Sequence, residues 1–295
     1  MNERFPFVAL VTCFDGDEAI DYAAVRRQVR RQVAAGNNIL ACGTNGDFTS
    51  LTFEEKVRLC AEVVEEAAGR VKVFANIGLP STYETLLLGR AVAKTGVDAF
   101  AVITPYFIGC TQDGLYTHFT RIADALPRPI YLYDIPARTQ NHIEPATAIR
   151  LADHKNIHGI KDSGGGKESL DAYLAIAAGR NDFDVFSGPD SLVYYALSKG
   201  AKGCISGLAN VMPKVASEIC AKFAAGDLAG AQAAQERFTA LRVDLYALGY
   251  APAMVKRALY LMDASVGASR QPALISTPEL DAKIRAILAK HGIAE

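Results

Sequence analysis

The 295-residue sequence predicts an α/β fold, a (β/α)8 TIM barrel followed by a small C-terminal helical appendage. Three observations lead there. Eight short β-branched or apolar runs alternate with longer runs in which apolar residues recur every three or four positions, the pattern of parallel βαβ units. No GxGxxG turn follows the first run, where Thr12-Cys13-Phe14-Asp15-Gly16 stands, so an open dinucleotide-binding sheet is the poorer fit. After Ser206 the strand pattern stops and only helical periodicity remains.

In chain order the expected strands are 7–12, 38–42, 72–76, 99–104, 130–133, 157–161, 184–187 and 203–206. The helices between them fall near 22–34, 53–68, 82–94, 114–125, 145–152, 168–178 and 191–198. Thr52 followed three residues later by Glu55 is a capping-box pattern that opens the second helix. Glu144-Pro145 and Pro189-Asp190 read as further helix entries, and Gly36, Gly69, Gly96, Gly179 and Gly200 as helix stops. Helices at 211–225, 229–248, 253–262 and 278–291 end the chain. The first completes the eighth βα unit, giving a barrel over residues 1–225 and a helical region over 226–295.

Composition narrows the function. Half of the residues are hydrophobic, and 31 Lys and Arg nearly balance 32 Asp and Glu, for a net charge of −1. Without a basic block, a nucleic-acid or membrane-surface partner is not expected. The apolar runs, such as 172–178, are far shorter than the roughly 20 residues that span a bilayer. The opening Met1-Asn2-Glu3-Arg4-Phe5-Pro6 lacks the basic-then-apolar pattern of a secretory leader, so a cytoplasmic protein is expected. Cys13, Cys42, Cys60, Cys110, Cys204 and Cys220 make no CxxC pair, and the five histidines make no HxH or HExxH. The thiols read as small buried residues in a reducing compartment, and neither a metal nor a cofactor is expected.

Barrel enzymes build their sites at the C-terminal ends of the strands, so the informative residues are those that end strands. The sixth expected strand ends in Lys161, ahead of Asp162-Ser163-Gly164-Gly165-Gly166. A strand-end lysine is ordinarily a solvated surface charge. One that points into an apolar barrel mouth is biased toward the neutral amine, which attacks carbonyls to form an imine. The fifth strand carries Tyr131 and Tyr133 on one face. Tyr133, nearer the C-terminal end, is either a core aromatic or a proton shuttle beside the lysine. The second strand runs into Gly43-Thr44-Asn45-Gly46, a tight turn whose N–H groups can cradle a carboxylate. It is no P-loop, since no lysine follows at the required spacing.

These three places, together with four others in order, resemble the pyruvate-dependent class I aldolase family that includes dihydrodipicolinate synthase, N-acetylneuraminate lyase and 2-keto-3-deoxy sugar-acid aldolases. Thr12-Cys13-Phe14-Asp15 is similar to the family's TPF start, with Cys13 for the proline. Gly43-Thr44-Asn45-Gly46-Asp47 resembles GTTGE, Thr104-Pro105-Tyr106-Phe107 resembles TPYY, and Tyr133-Asp134-Ile135-Pro136-Ala137-Arg138-Thr139 resembles YNxPxRT. Gly159-Ile160-Lys161-Asp162-Ser163 is similar to GxKDS, while Ser187-Gly188-Pro189-Asp190 and Gly203-Cys204-Ile205-Ser206 match SGxD and GxIS.

The resemblance implies a lyase in which Lys161 forms the Schiff base and Tyr133 is the general acid/base. Thr44 and Asn45 would hold the pyruvate carboxylate, Arg138 an anionic second substrate, and Ile205 and Gly188 would line the pocket. It also implies a homotetramer in which a tyrosine at position 107 enters the neighbouring subunit's site. Here that position is Phe107, with Tyr106 beside it, and Asn45 replaces the second threonine of the proton relay. These departures, with Asp47-Phe48 and Gly207-Leu208-Ala209-Asn210-Val211, favour aldol chemistry on a 2-keto-3-deoxy sugar acid, releasing or adding pyruvate. The alternative is 4-hydroxy-tetrahydrodipicolinate synthase, which condenses pyruvate with aspartate semialdehyde. A family member that binds pyruvate with little turnover is the third reading.

Overall fold

Strands buried on both faces have no edge to expose, and here the eight apolar runs close into a ring. The computed structural model describes residues 5–293. The ends of the two regions drawn above, 1–4 and 294–295, including most of the segment read for a leader, lie outside the described residues. The strands are β1 Phe5–Ala9, β2 Asn38–Ala41, β3 Val73–Asn76, β4 Ala99–Ile103, β5 Ile130–Asp134, β6 Ile157–Asp162, β7 Asp184–Ser187 and β8 Gly203–Ser206. They form a closed parallel barrel in sequence order, sealed by β1 against β8 from Phe5↔Gly203 to Val8↔Ser206. Around it run α1 Tyr22–Ala34, α2 Phe53–Ala67, α3 Thr82–Val92, α4 Gln112–Ala125, α5 Pro136–Thr139, α6 Pro145–Ala152, α7 Lys167–Ala177, α8 Val193–Ser198 and α9 Pro213–Ala224. Then come α10 Leu228–Tyr246, α11 Ala251–Met262 and α12 Pro278–Lys290.

The local signals have physical counterparts. Thr52 Oγ1 accepts from the Glu55 amide at 3.2 Å, and the Glu55 carboxylate accepts from the Thr52 amide at 2.8 Å. Two of the helix's orphan donors are thereby satisfied. Inside the barrel, Phe7, Phe74, Tyr131 and Phe186 fill the floor, with ring centroids of Phe7–Phe74 and Phe74–Tyr131 at 4.5 and 4.8 Å. Such pairs add roughly 0.5–1.5 kcal/mol each beyond their buried area.

Most bounds shift by a residue or two, the short helix Pro136–Thr139 is an addition to the expected elements, and two departures have a visible cause. The first strand spans Phe5–Ala9 rather than 7–12, because after a last bond from the Leu10 amide to the Leu40 carbonyl at 3.0 Å, residues 11–12 are buried yet leave the ladder. The Val11 amide donates to the Asn210 side chain at 3.2 Å, and the Thr12 hydroxyl donates to the Gly46 carbonyl at 2.6 Å. Side-chain partners replace strand partners there, which an apolar pattern cannot reveal. The helix expected from 191 begins at Val193, after a 3-10 turn over Asp190–Leu192.

The C-terminal helices are stitched to the barrel mouth. The Gln235 side chain donates to the Asp190 carbonyl at 2.9 Å, and the Tyr246 hydroxyl to the Asp190 carboxylate at 3.0 Å. Lys256 of α11, 1% exposed, pairs with Asp47 at 2.9 Å.

Candidate active site

Strand register brings the two principal side chains together. Lys161 on β6 lies opposite Tyr133 on β5, as Asp162 lies opposite Asp134. Lys161 is 4% exposed, and its Nζ sits 4.1 Å from the centroid of the Tyr133 ring. The Tyr133 hydroxyl is 2.9 Å from Thr44 Oγ1. An amine, a phenol and a hydroxyl therefore stand in line at the C-terminal end of the barrel. The period-2 reading of β5 fits: Tyr131 is in the floor cluster and Tyr133 at the mouth.

Thr44, Asn45, Tyr133, Arg138, Lys161, Gly188 and Ile205 all line one cavity of about 170 Å³. The turn that carries Thr44 and Asn45 is a 3-10 helix over Thr44–Gly46, entered through Cys42 at φ +53° and left through Asp47 at φ +53°. Its left-handed exit residue, Asp47, is the one tied to Lys256. On the entry side, Asn76 donates to the Cys42 carbonyl at 3.0 Å. Asn45 packs against Gly207, where a Cβ would stand 2.7 Å from its Nδ2. At Gly188 a Cβ would collide with Ser163 Oγ and lie 2.6 Å from the Asp162 carbonyl. Both glycines keep their loops close to the cavity.

Arg138 is exposed and stacks on the Tyr250 ring at 4.6 Å. It also borders an adjoining cavity of about 500 Å³ that contains Tyr106. Tyr106 is half-buried there, edge-on to Phe48 at 5.7 Å, so it is not beside Lys161 in its own chain. Phe107 is 95% exposed, with φ +72°.

Behind the lysine and tyrosine lies a buried acidic pair. Asp134, fully buried, accepts from the Tyr173 hydroxyl at 3.1 Å and the Ile143 amide at 3.0 Å, and its Oδ2 is 2.8 Å from His142 Nδ1. The hydrogen bond to Asp134 raises the pKa of His142. Asp162 accepts from the Gly164 amide and the Ser169 hydroxyl through Oδ1, while its Oδ2 has no partner. Burial raises its pKa.

Sequence reasoning missed several cavity residues. Ser163 and Gly165 sit in the loop it noted, but Arg242, Tyr246, Ala251 and Pro252 come from α10 and the start of α11. Nothing in a helical pattern marks a residue that reaches over a barrel mouth. Among the described residues no helix is long and apolar enough to cross a membrane, and no group of three His, Cys, Asp or Glu could hold a metal ion.

Known proteins resemble the chain along its whole length. The model of the Dihydrodipicolinate synthetase family matches residues 4–291. A 4-hydroxy-tetrahydrodipicolinate synthase from Trichlorobacter lovleyi is 37% identical over 97% of this chain and 98% of its own. Among solved structures, a dihydrodipicolinate synthase variant described as monomeric is 31% identical with TM-score 0.93, covering 99% of this chain and 97% of that one. YagE, a prophage protein of the dihydrodipicolinic acid synthase family from E. coli K12 solved with pyruvate, is 25% identical with TM-score 0.94, covering 98% and 99%.

Proposed function

The chain belongs to the dihydrodipicolinate synthetase family, a family of lyases, and on that premise we propose that it condenses pyruvate with aspartate semialdehyde as a 4-hydroxy-tetrahydrodipicolinate synthase. The observation that carries the chemistry is the Lys161 amine 4.1 Å above the Tyr133 ring, with the Tyr133 hydroxyl 2.9 Å from Thr44.

In this reading the Lys161 amine adds to the pyruvate carbonyl and water leaves, forming an imine. The Gly43–Gly46 turn, through its N–H groups and the Thr44 and Asn45 side chains, holds the pyruvate carboxylate. The protonated imine draws electrons from the methyl carbon, which loses a proton to become an enamine. That carbon attacks the aldehyde of the second substrate, whose carboxylate Arg138 receives. Tyr133, bonded to Thr44, carries protons to and from the imine and the new hydroxyl. Ile205 and Gly188 shape the wall.

The sequence by itself favours a 2-keto-3-deoxy sugar acid as the second partner, and the relatives favour the alternative instead. That preference leaned on Asn45 and Phe107 as breaks in a relay. In the structure Tyr133 has its hydroxyl partner in Thr44, and Asn45 packs toward Gly207. Loss of a hydroxyl at 45 therefore leaves the Tyr133–Thr44 link in place. The test is a product assay. Pyruvate with aspartate semialdehyde should turn over faster than 2-keto-3-deoxy sugar acids are cleaved. The reverse order restores the sugar-acid reading, and an imine without turnover of any partner supports a binding protein.

We also propose that copies associate through the loop after β4, into the tetramer that the resemblance implies. Phe107 and Ile108 expose 95% and 52% of their surface there, and Tyr83 on α3 exposes 72%. Sedimentation should show a species several times the 31.6 kDa chain mass. A monomer at every concentration contradicts it.

A further inference from the structure

Arg242 has no place in the roles above, yet it lines the same cavity as Lys161, with Ser163, Gly165 and Pro189. It belongs to α10, outside the barrel. Its guanidinium carbon lies 5.1 Å from the Tyr246 ring centroid, so the cation rests on an aromatic face. Its Nε is buried and has no hydrogen-bond partner among the described residues. A buried guanidinium donor left unpaired costs free energy until an acceptor arrives.

The surroundings point to the kind of acceptor. Asp190, the neighbouring carboxylate, is 3% exposed and spends its Oδ2 on the Tyr246 hydroxyl and the Leu208 amide. Burial raises its pKa, while the Arg242 charge acts in the opposite direction. Gly165, on the cavity wall, leads into α7 through Gly166, an N-cap without a side-chain partner. The positive end of an 11-residue helix therefore begins next to this wall. Arg138 adds a second guanidinium to the same cavity. A planar guanidinium with free donors fits a carboxylate by two parallel hydrogen bonds.

We propose that Arg242, beside the uncapped start of α7, forms a carboxylate subsite separate from the Gly43–Gly46 turn and from Arg138, so that the cavity selects compounds with a carboxylate several bonds from the carbonyl that reacts at Lys161. This rests on the imine reading of the site and adds a specificity residue from the C-terminal helices.

The experiment compares pyruvate with 2-oxoglutarate, which carries the same 2-oxo acid head and a distal carboxylate. Calorimetric titration of both into wild type, Arg242→Gln and Arg242→Lys gives the ratio of their dissociation constants. Arg242→Gln should raise the 2-oxoglutarate-to-pyruvate ratio about tenfold, the loss of a charged hydrogen bond. Arg242→Lys, which keeps the charge, should recover part of it. The same ratio in wild type and Arg242→Gln, or no 2-oxoglutarate binding to wild type, overturns the subsite. Borohydride trapping of pyruvate on Lys161 is read separately. If trapping fails while the ratio still depends on Arg242, the imine reading falls and the subsite stands.

Discussion

Lys161, Tyr133 and Thr44 owe their arrangement to separate stretches of chain, and each makes a distinct prediction. Tyr133→Phe removes the hydroxyl that meets Thr44 but leaves the ring under the lysine. Turnover should fall by about 10²–10⁴, the usual worth of general acid/base catalysis, with a much smaller loss of trapped imine. Stopped turnover and borohydride trapping measure the two; equal losses would assign Tyr133 to binding. Lys256→Met leaves Asp47 without its partner at the exit of the Thr44 turn. Breaking a buried pair costs about 3–5 kcal/mol, to be read from chemical denaturation, and KM for pyruvate should rise with it. Adding Asp47→Asn should recover part of the stability, since no uncompensated charge then remains. Unchanged stability in the single variant contradicts the pair's role. Lys161, Tyr133 and the Thr44–Asn45 turn were legible because they end strands. Arg242 and Lys256 were not, because surface and buried cations look alike within a helical repeat.

The βα loops connect these residues. Gly188 stands where the end of β7 passes under Ser163, and its amide donates to the Asp162 carbonyl at 2.7 Å. Gly188→Ala drives a methyl into Ser163 and toward that backbone oxygen. A cost of roughly 1–3 kcal/mol is expected from overpacking, with a larger fall in kcat than in melting temperature because the β6 end shifts. Wild-type behaviour in both would mean that the loop has room. The loop after α5 makes a pH prediction. His142 gains Asp134 as a hydrogen-bonded partner, with Asp162 and Glu144 adding attraction, so its folded pKa lies above the ordinary value of 6.5. Its contribution is then fully present below about pH 6.5 and is lost as pH rises through the folded pKa. The side chain is 42% exposed, so solvent screens the effect and keeps it small. The stability gap between wild type and His142→Gln should narrow from about pH 6.5 upward; a gap that widens contradicts the assignment. Element positions were readable from periodicity and caps such as Thr52–Glu55. The end of β1 was not, because Asn210, some two hundred residues away in sequence, supplies the Val11 amide's partner.

At the scale of the molecule, the closed ring of eight strands brings five of the seven scattered motifs to one cavity, while Tyr106 of another borders the adjoining one. Alternation of strand and helix predicted that closure, and it brought Tyr133 beside Lys161 through the β5–β6 register. The second substrate was the less legible part, since position 107 projects away from its own chain's cavity and α10 lies over the mouth. Both features depend on tertiary placement, which motif spacing does not encode. The proposed imine on Lys161 underlies the roles given to Tyr133, Thr44 and Asn45. Borohydride reduction in the presence of pyruvate, followed by peptide mass analysis, tests it most directly. One pyruvate-derived adduct per chain is expected, on the peptide containing Lys161, and none in Lys161→Ala. An unmodified Lys161, or an adduct on another lysine, contradicts it.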